Sequence, residues 1–144
     1  MNELNPTEIL LAEDNPQDLQ LTLRAFDKAQ LGCRIHIARD GEEVLAHLFR
    51  PEGATPRLRL ILLDLKLPKI DGIQLLRQIK QDTRTQPIPV VILSSSAEQS
   101  DIRNCYQLGA NSYVVKPMNF EQFAQAVRAL GHYWMQHNQP LAHS

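Results

Sequence analysis

Residues 59–72 read RLILLDLKLPKIDG. Residues 60–63 form an unbroken apolar run that ends on one carboxylate, Asp64. A short apolar run bounded by turn signals suits a strand buried on both faces, as in a parallel sheet. Its length alone also allows a piece of buried helix. Pro68 and the Asp71-Gly72 pair favour a strand that stops and turns. Asp64 then stands at the carboxyl end of a central strand, the edge where open α/β sheets bind ligands and do chemistry. On this stretch alone, a plain loop-capping role for Asp64 is equally open.

Upstream, residues 9–12 form a second apolar run, and it too ends in acid, at Glu13 and Asp14. Asn15, Pro16 and Asp18 follow as N-cap, first helical residue and first-turn acid. Leu19, Leu23 and Phe26 recur at helical spacing, which predicts a helix to about Gln30, broken by Gly32. Residues 34–38 alternate and predict a strand with a polar face. Asp40 and Glu43 give a capping-box pattern ahead of Val44, Leu45 and Leu48, a second helix on which His47 reads as a surface residue. Residues 50–57, RPEGATPR, read as a loop, and residues 1–7 as a polar, fraying start.

Downstream of the central strand, Ile73, Leu76 and Ile79 mark a helix from about Gly72. Residues 90–93 predict a buried strand that ends in Ser94, Ser95 and Ser96. Residues 98–108 predict a helix with a thin apolar stripe, stopped by Gly109. Residues 112–115 predict a fifth strand, closed by Lys116-Pro117. Asn119 and Gln122 cap a last helix whose stripe is Phe120, Phe123, Val127, Leu130 and Trp134. Five strands alternating with five helices imply an α/β, doubly wound parallel sheet covered on both faces. For one domain of this size the leading strand order is 2-1-3-4-5.

Composition narrows the function classes. A chain of 144 residues, 43% hydrophobic and 22% charged, fits one soluble globular domain. A net charge of −1 gives no electrostatic case for nucleic acid or a membrane surface. No apolar run approaches membrane-spanning length, and the start MNELNPTE is no signal peptide. Cys33 and Cys105 have no metal-ligand spacing and make no disulfide framework, so a reduced cytoplasmic protein is expected.

With that strand order, Glu13, Asp14, Asp64, Ser94 and Lys116 all stand at the carboxyl edge, around the switch point. Each close carboxylate pair there repels by about 4 kcal/mol at an effective dielectric of 20. A hard divalent cation offsets such repulsion, and Mg²⁺ suits carboxylates plus water plus phosphate. A lysine and a hydroxyl beside it complete a set for handling phosphoryl groups.

These residues resemble the receiver domains of two-component response regulators. The acidic pair Glu13-Asp14, the strand LILLD ending at Asp64, and LPKIDG follow in the family's order. Ser94 comes 30 residues after Asp64 and Lys116-Pro117 comes 52 residues after it, at the family's spacing. The resemblance covers about residues 8–130. It implies that Asp64 accepts phosphate from a sensor histidine kinase. It also implies that Glu13, Asp14, Asp64 and the backbone carbonyl of Lys66 hold Mg²⁺, and that Ser94 and Lys116 sense the phosphoryl group. Tyr113 matches the family's aromatic switch position, with strand filling as its plainer role. Pro117 is expected to follow a cis bond, against about 5–6% of X–Pro bonds in general. A protein of this kind catalyses only its own phosphorylation and dephosphorylation and is not otherwise an enzyme.

Other readings fit less well. A haloacid-dehalogenase-type phosphatase needs a second Asp two residues after the nucleophile, where Lys66 stands. A nucleotide-binding module wants a glycine- or hydroxyl-rich first loop, and here that loop opens with two acids. A pseudo-receiver would lack one of the five site residues, all of which are present.

No output domain is expected within residues 1–144; the chain reads as a stand-alone receiver or a piece of a longer protein, and Met1 and the polar ends favour the former. The 50–57 loop and a last helix running through HYWMQH to about residue 137 resemble the small regulators paired with cyanobacterial and bacterial phytochrome kinases. Tyr133 and Trp134 are expected at an interface, with a homodimer through the face of the fourth helix, fifth strand and fifth helix. The alternative is that the helix end folds back on its own domain.

Overall fold

Alternation along the strands decides the layers. The computed structural model describes residues 7–50, 57–117 and 119–141. Its elements are β1 (Thr7–Ala12), α1 (Pro16–Ala29), β2 (Cys33–Ala38), α2 (Gly41–Leu48), β3 (Leu58–Leu63), α3 (Gly72–Gln81), β4 (Val90–Ser94), α4 (Gln99–Gln107), β5 (Ser112–Val115) and α5 (Phe120–His132). A π-helical turn, Tyr133–His137, continues α5. The strands form one parallel sheet in the order β2-β1-β3-β4-β5. The expected α/β class and strand order are thus the observed ones. The 50–57 loop, apart from Arg50 and Arg57, and the fraying start before Thr7 lie outside the described residues.

Each strand feeds two cores. Leu10, Ala12, Ile61, Leu63, Val90 and Ile92 pack with Val44 and Leu48 of α2, Leu75, Leu76 and Ile79 of α3 and Cys105 of α4. The intervening residues Ile9, Leu11, Leu60, Leu62, Val91 and Leu93 pack with Leu19 and Phe26 of α1 and Phe123, Val127 and Leu130 of α5. Covered faces on both sides explain the continuous apolar runs, since successive strand residues point to opposite faces. Each fully buried Leu or Ile contributes about 1.5–3 kcal/mol.

The helix starts follow their caps. Asn15 Oδ1 accepts from the Asp18 amide at 3.0 Å, and Asp40 Oδ1 accepts from the Glu43 amide at 2.9 Å. Glu43 reaches back to the Arg39 amide at 2.9 Å, one residue earlier than a capping box requires. Asn119 Oδ1 accepts from the amides of Glu121 and Gln122.

Two expectations about the last helix change. Phe120 is 58% exposed, so the buried stripe begins at Phe123. Helical side chains lean toward the preceding turn, and Phe120, the first helical residue, has none. At the other end, the Asn138 amide donates to the Tyr133 carbonyl at 2.7 Å, an i→i+5 bond. That wider turn moves the inward position from 134 to 135. Met135 is therefore buried, and Trp134 is half-buried against the α1/α5-side core. Arg59 Nη2 holds the Asn138 carbonyl at 3.1 Å, fastening the turn to β3. Trp134 thus covers its own domain in part, while Tyr133 stays 51% exposed, edge-on to it at 5.0 Å.

Candidate active site

The sheet places the site residues by extending its own ladder. The Glu13 amide donates to the Ala38 carbonyl at 3.0 Å, the Asp64 amide to the Ala12 carbonyl at 3.1 Å, and the Lys116 amide to the Ser94 carbonyl at 2.7 Å. Each residue is the first beyond its strand, and each is still held by the neighbouring strand's last carbonyl. The loop after Asp64 is packed tightly as well. A Cβ on Gly72 would lie 2.5 Å from Leu65 Cα and 2.7 Å from the Asp64 carbonyl oxygen, so only glycine fits. The Gly72 amide donates to the Leu65 carbonyl at 3.0 Å, and the Lys66 amide to Asp64 Oδ1 at 3.1 Å. Lys69 takes a left-handed φ of 71°, with its ammonium 3.3 Å from both Asp40 and Glu42.

Carboxylate oxygens of Glu13, Asp14 and Asp64 lie within 4.8 Å of one another. Glu13 and Asp64 are buried, and Asp14 is exposed. Lys116 reaches in from the far side of the sheet: its Nζ is 2.8 Å from Glu13 Oε1, 3.0 Å from Asp64 Oδ2 and 2.9 Å from Asp18 Oδ2. One ammonium therefore faces three carboxylates, two of which belong to the acidic group. Burial, a side-chain hydrogen bond with Asp64 and the Asp64 charge raise the Glu13 carboxyl to about 7, with Lys116 opposing the rise. Burial alone would favour the neutral amine of Lys116. Hydrogen bonds to Glu13 and Asp18 and the charges of Asp64 and Glu13 outweigh it, so the ammonium form is held above its ordinary range. An acidic cluster with one cation is under-neutralised, and these hard oxygen donors fit Mg²⁺ or Mn²⁺.

Ser94 is buried at the end of β4, and its Oγ accepts from the Ser96 amide at 3.1 Å. The Tyr113 hydroxyl donates to the Ser96 carbonyl at 2.8 Å, and its ring packs against the core under α3 and α4. Ser96 Oγ in turn donates to Asp101 Oδ2 at 2.6 Å, at the start of α4. A chain of contacts thus runs from Ser94 through the β4–α4 loop to Tyr113.

One expectation fails. No cis peptide bond occurs among the described residues, so Lys116-Pro117 is trans. Trans is the default by about 0.5–1 kcal/mol for X–Pro, and the β5 ladder already delivers Lys116 to the carboxylates without a cis bond. One residue was missed as a site member. Asp18 reads in sequence as a first-turn acid suited to the helix dipole, and its contact with Lys116, 98 residues away, depends on the fold.

The family model for the response regulator receiver domain matches residues 9–128. The chain is 42% identical over 132 residues to the probable methanogenesis regulatory protein FilR2 of Methanothrix harundinacea, covering 91% of this chain and 85% of that protein. It is 35% identical over 139 residues to response regulator Rcp1 of Synechocystis, covering 94% of each. The crystal structure of the Mn²⁺-bound form of Rcp1 superposes with a TM-score of 0.89 at 34% identity, over 95% of this chain and all of that one. The phosphorylated cyanobacterial phytochrome response regulator RcpA gives a TM-score of 0.89 at 35% identity, over 95% of this chain and 99% of that one. Fold, site residues and relatives agree: the chain belongs to the response regulator receiver domain family.

Proposed function

We propose that this chain accepts a phosphoryl group on Asp64 from the phosphohistidine of a sensor kinase, with Mg²⁺ held by Glu13, Asp14, Asp64 and the Lys66 carbonyl. The observation that carries this reading is the acidic group around Asp64, with oxygens within 4.8 Å, combined with the Lys116 ammonium 3.0 Å from Asp64 Oδ2. The Asp64 carboxylate attacks phosphorus, the P–N bond to the imidazole breaks, and the imidazole leaves. No general base is needed, because a carboxylate is already the nucleophile. The bound cation supplies charge neutralisation. The remaining steps belong to the chain: the sheet fixes Asp64, Lys116 offsets the added charge, and Ser94 offers its hydroxyl.

Signalling follows from the contacts of Ser94. A hydroxyl drawn toward the phosphoryl group would release the Ser96 amide, whose neighbouring carbonyl holds Tyr113. Tyr113 and the β4–α4 loop then form the two-state element that alters the α4-β5-α5 face. Exposed Tyr106, Val115 and Tyr133 support that face as the contact between two copies. The likeness to RcpA supports a phytochrome kinase as the phosphate source, and a cytoplasmic location is the one in which the chain would meet it.

Labelling with acetyl phosphate tests the chemistry. Wild type is expected to incorporate phosphate only with a divalent cation, and Asp64→Asn to incorporate none. Equal labelling of that variant would end the assignment. Phosphotransfer profiling against the source organism's kinases tests the phytochrome link, and transfer from a non-phytochrome kinase alone would contradict it.

A further inference from the structure

We infer that Asp18 is a positioning residue for Lys116, holding its ammonium at the acceptor carboxylate while the other carboxylates are taken up by the cation and the phosphoryl group. The inference rests on Asp64 being the phosphoacceptor. Lys116 Nζ has three N–H donors, and three carboxylates accept from it: Glu13, Asp18 and Asp64, at 2.8, 2.9 and 3.0 Å. Two of those acceptors, Glu13 and Asp64, belong to the acidic group that could hold a metal ion. Asp18 does not. Metal binding and phosphorylation therefore draw on the oxygens of Glu13 and Asp64, while the Asp18 contact is left in place.

Asp18 is built for a fixed contact. Its amide donates to Asn15 Oδ1 at 3.0 Å, which sets the first turn of α1. Its carbonyl accepts from Thr22 Oγ1 at 2.8 Å, one turn on, and Thr22 is fully buried. Both bonds use the backbone, so the carboxylate is free to serve Lys116, and exchanging it leaves the helix start intact. The side chain is 26% exposed against 10% for Lys116, at the rim of the site rather than inside it. Lysine is a point charge on a flexible four-carbon stem, and a phosphoryl oxygen gains most from an ammonium already in place. A rim carboxylate that pins the ammonium supplies that preorganisation.

The sign of the effect separates this role from general electrostatics. Asp18 adds negative charge to a site that anionic phosphodonors must approach. If charge alone mattered, any substitution that removes it would speed phosphorylation. Positioning predicts the reverse for Ala, which loses the oxygen acceptor, and near-normal behaviour for Asn, which keeps one. The test measures the rate of phosphoryl incorporation from acetyl phosphate at saturating Mg²⁺, in the full chain. Asp18→Ala is expected to slow incorporation about tenfold, and Asp18→Asn to stay within about twofold of wild type. In a Lys116→Met background, Asp18→Ala should cause no further loss, because its effect passes through the lysine. An Asp18→Ala rate at or above wild type, an Asn variant as slow as Ala, or a further loss in the Lys116→Met background would each overturn the inference. Wild type and Asp64→Asn run alongside. If wild type takes no label, the acceptor reading falls and this inference with it. If wild type labels on Asp64 and Asp18→Ala labels equally fast, only the role of Asp18 is lost.

Discussion

Lys80 and Lys116 are both drawn out of water, and their partners send them in opposite directions. Lys116 meets three carboxylates, and its ammonium is stabilised. Among the described residues Lys80 Nζ meets only neutral oxygens: the carbonyls of Gln86 and Ile88 at 3.0 and 2.8 Å, and Asn111 Oδ1 at 3.2 Å. Burial lowers it to about 8. An unfolded lysine holds its proton to about 10.4, so between those values the unfolded chain binds more protons. Stability contributed by Lys80 therefore rises with pH across that window. Urea midpoints between pH 8 and 10 should climb more steeply for wild type than for Lys80→Met, and parallel slopes would contradict this. The difference between the two proteins isolates Lys80 from Cys33, Cys105 and Tyr113, whose raised values act the other way. At this scale Asp64, Glu13, Asp14, Ser94 and Lys116 were legible in the sequence, because each closes a strand. Asp18 was not, because a first-turn acid has a sufficient local reason to exist.

Elements were legible wherever period and punctuation agreed. Asn15-Pro16, Asp40 and Asn119 mark helix starts by chemistry that acts within three or four residues. The π-helical turn left no such mark: it follows from Met135 and Asn138 finding partners on the body of the domain, a long-range cause. Pro117 failed for a related reason, since isomer choice at X–Pro is decided by surroundings. Gly72 tests how rigidly the Asp64 loop is held. A methyl group there would meet backbone atoms of Leu65 and Asp64, which cannot swing aside as a side chain can. Gly72→Ala should cost about 2 kcal/mol in urea unfolding and slow phosphorylation as well. A variant as stable and as fast as wild type would show that the loop yields easily.

Across the whole molecule, a net charge of −1 conceals a concentrated acidic edge. A cation that binds there and not to the unfolded chain stabilises the fold by mass action. The melting temperature should rise with millimolar Mg²⁺ in wild type and stay level in Glu13→Ala/Asp14→Ala; a flat wild-type response would count against the metal site. The α4-β5-α5 face carries the exposed Tyr106 and Val115, with Tyr133 just beyond α5. Sedimentation with and without beryllofluoride should show a dimer favoured by the phosphate mimic and weakened by Tyr133→Ala. A monomer throughout would remove the dimer and leave the site untouched. The α/β class was legible because strands and helices alternate, and the strand order only as the leading candidate for one domain of this size, whereas the partial cover of Trp134 was not. The proposed phosphoryl transfer turns on Asp64 as the acceptor. Its most direct measurement is borohydride reduction of the acetyl-phosphate-treated chain, followed by peptide mass spectrometry, which turns a phosphorylated aspartate into homoserine. Homoserine at position 64, formed only with Mg²⁺, is the predicted result; homoserine at another acid, or at none while phosphate is incorporated, would contradict it.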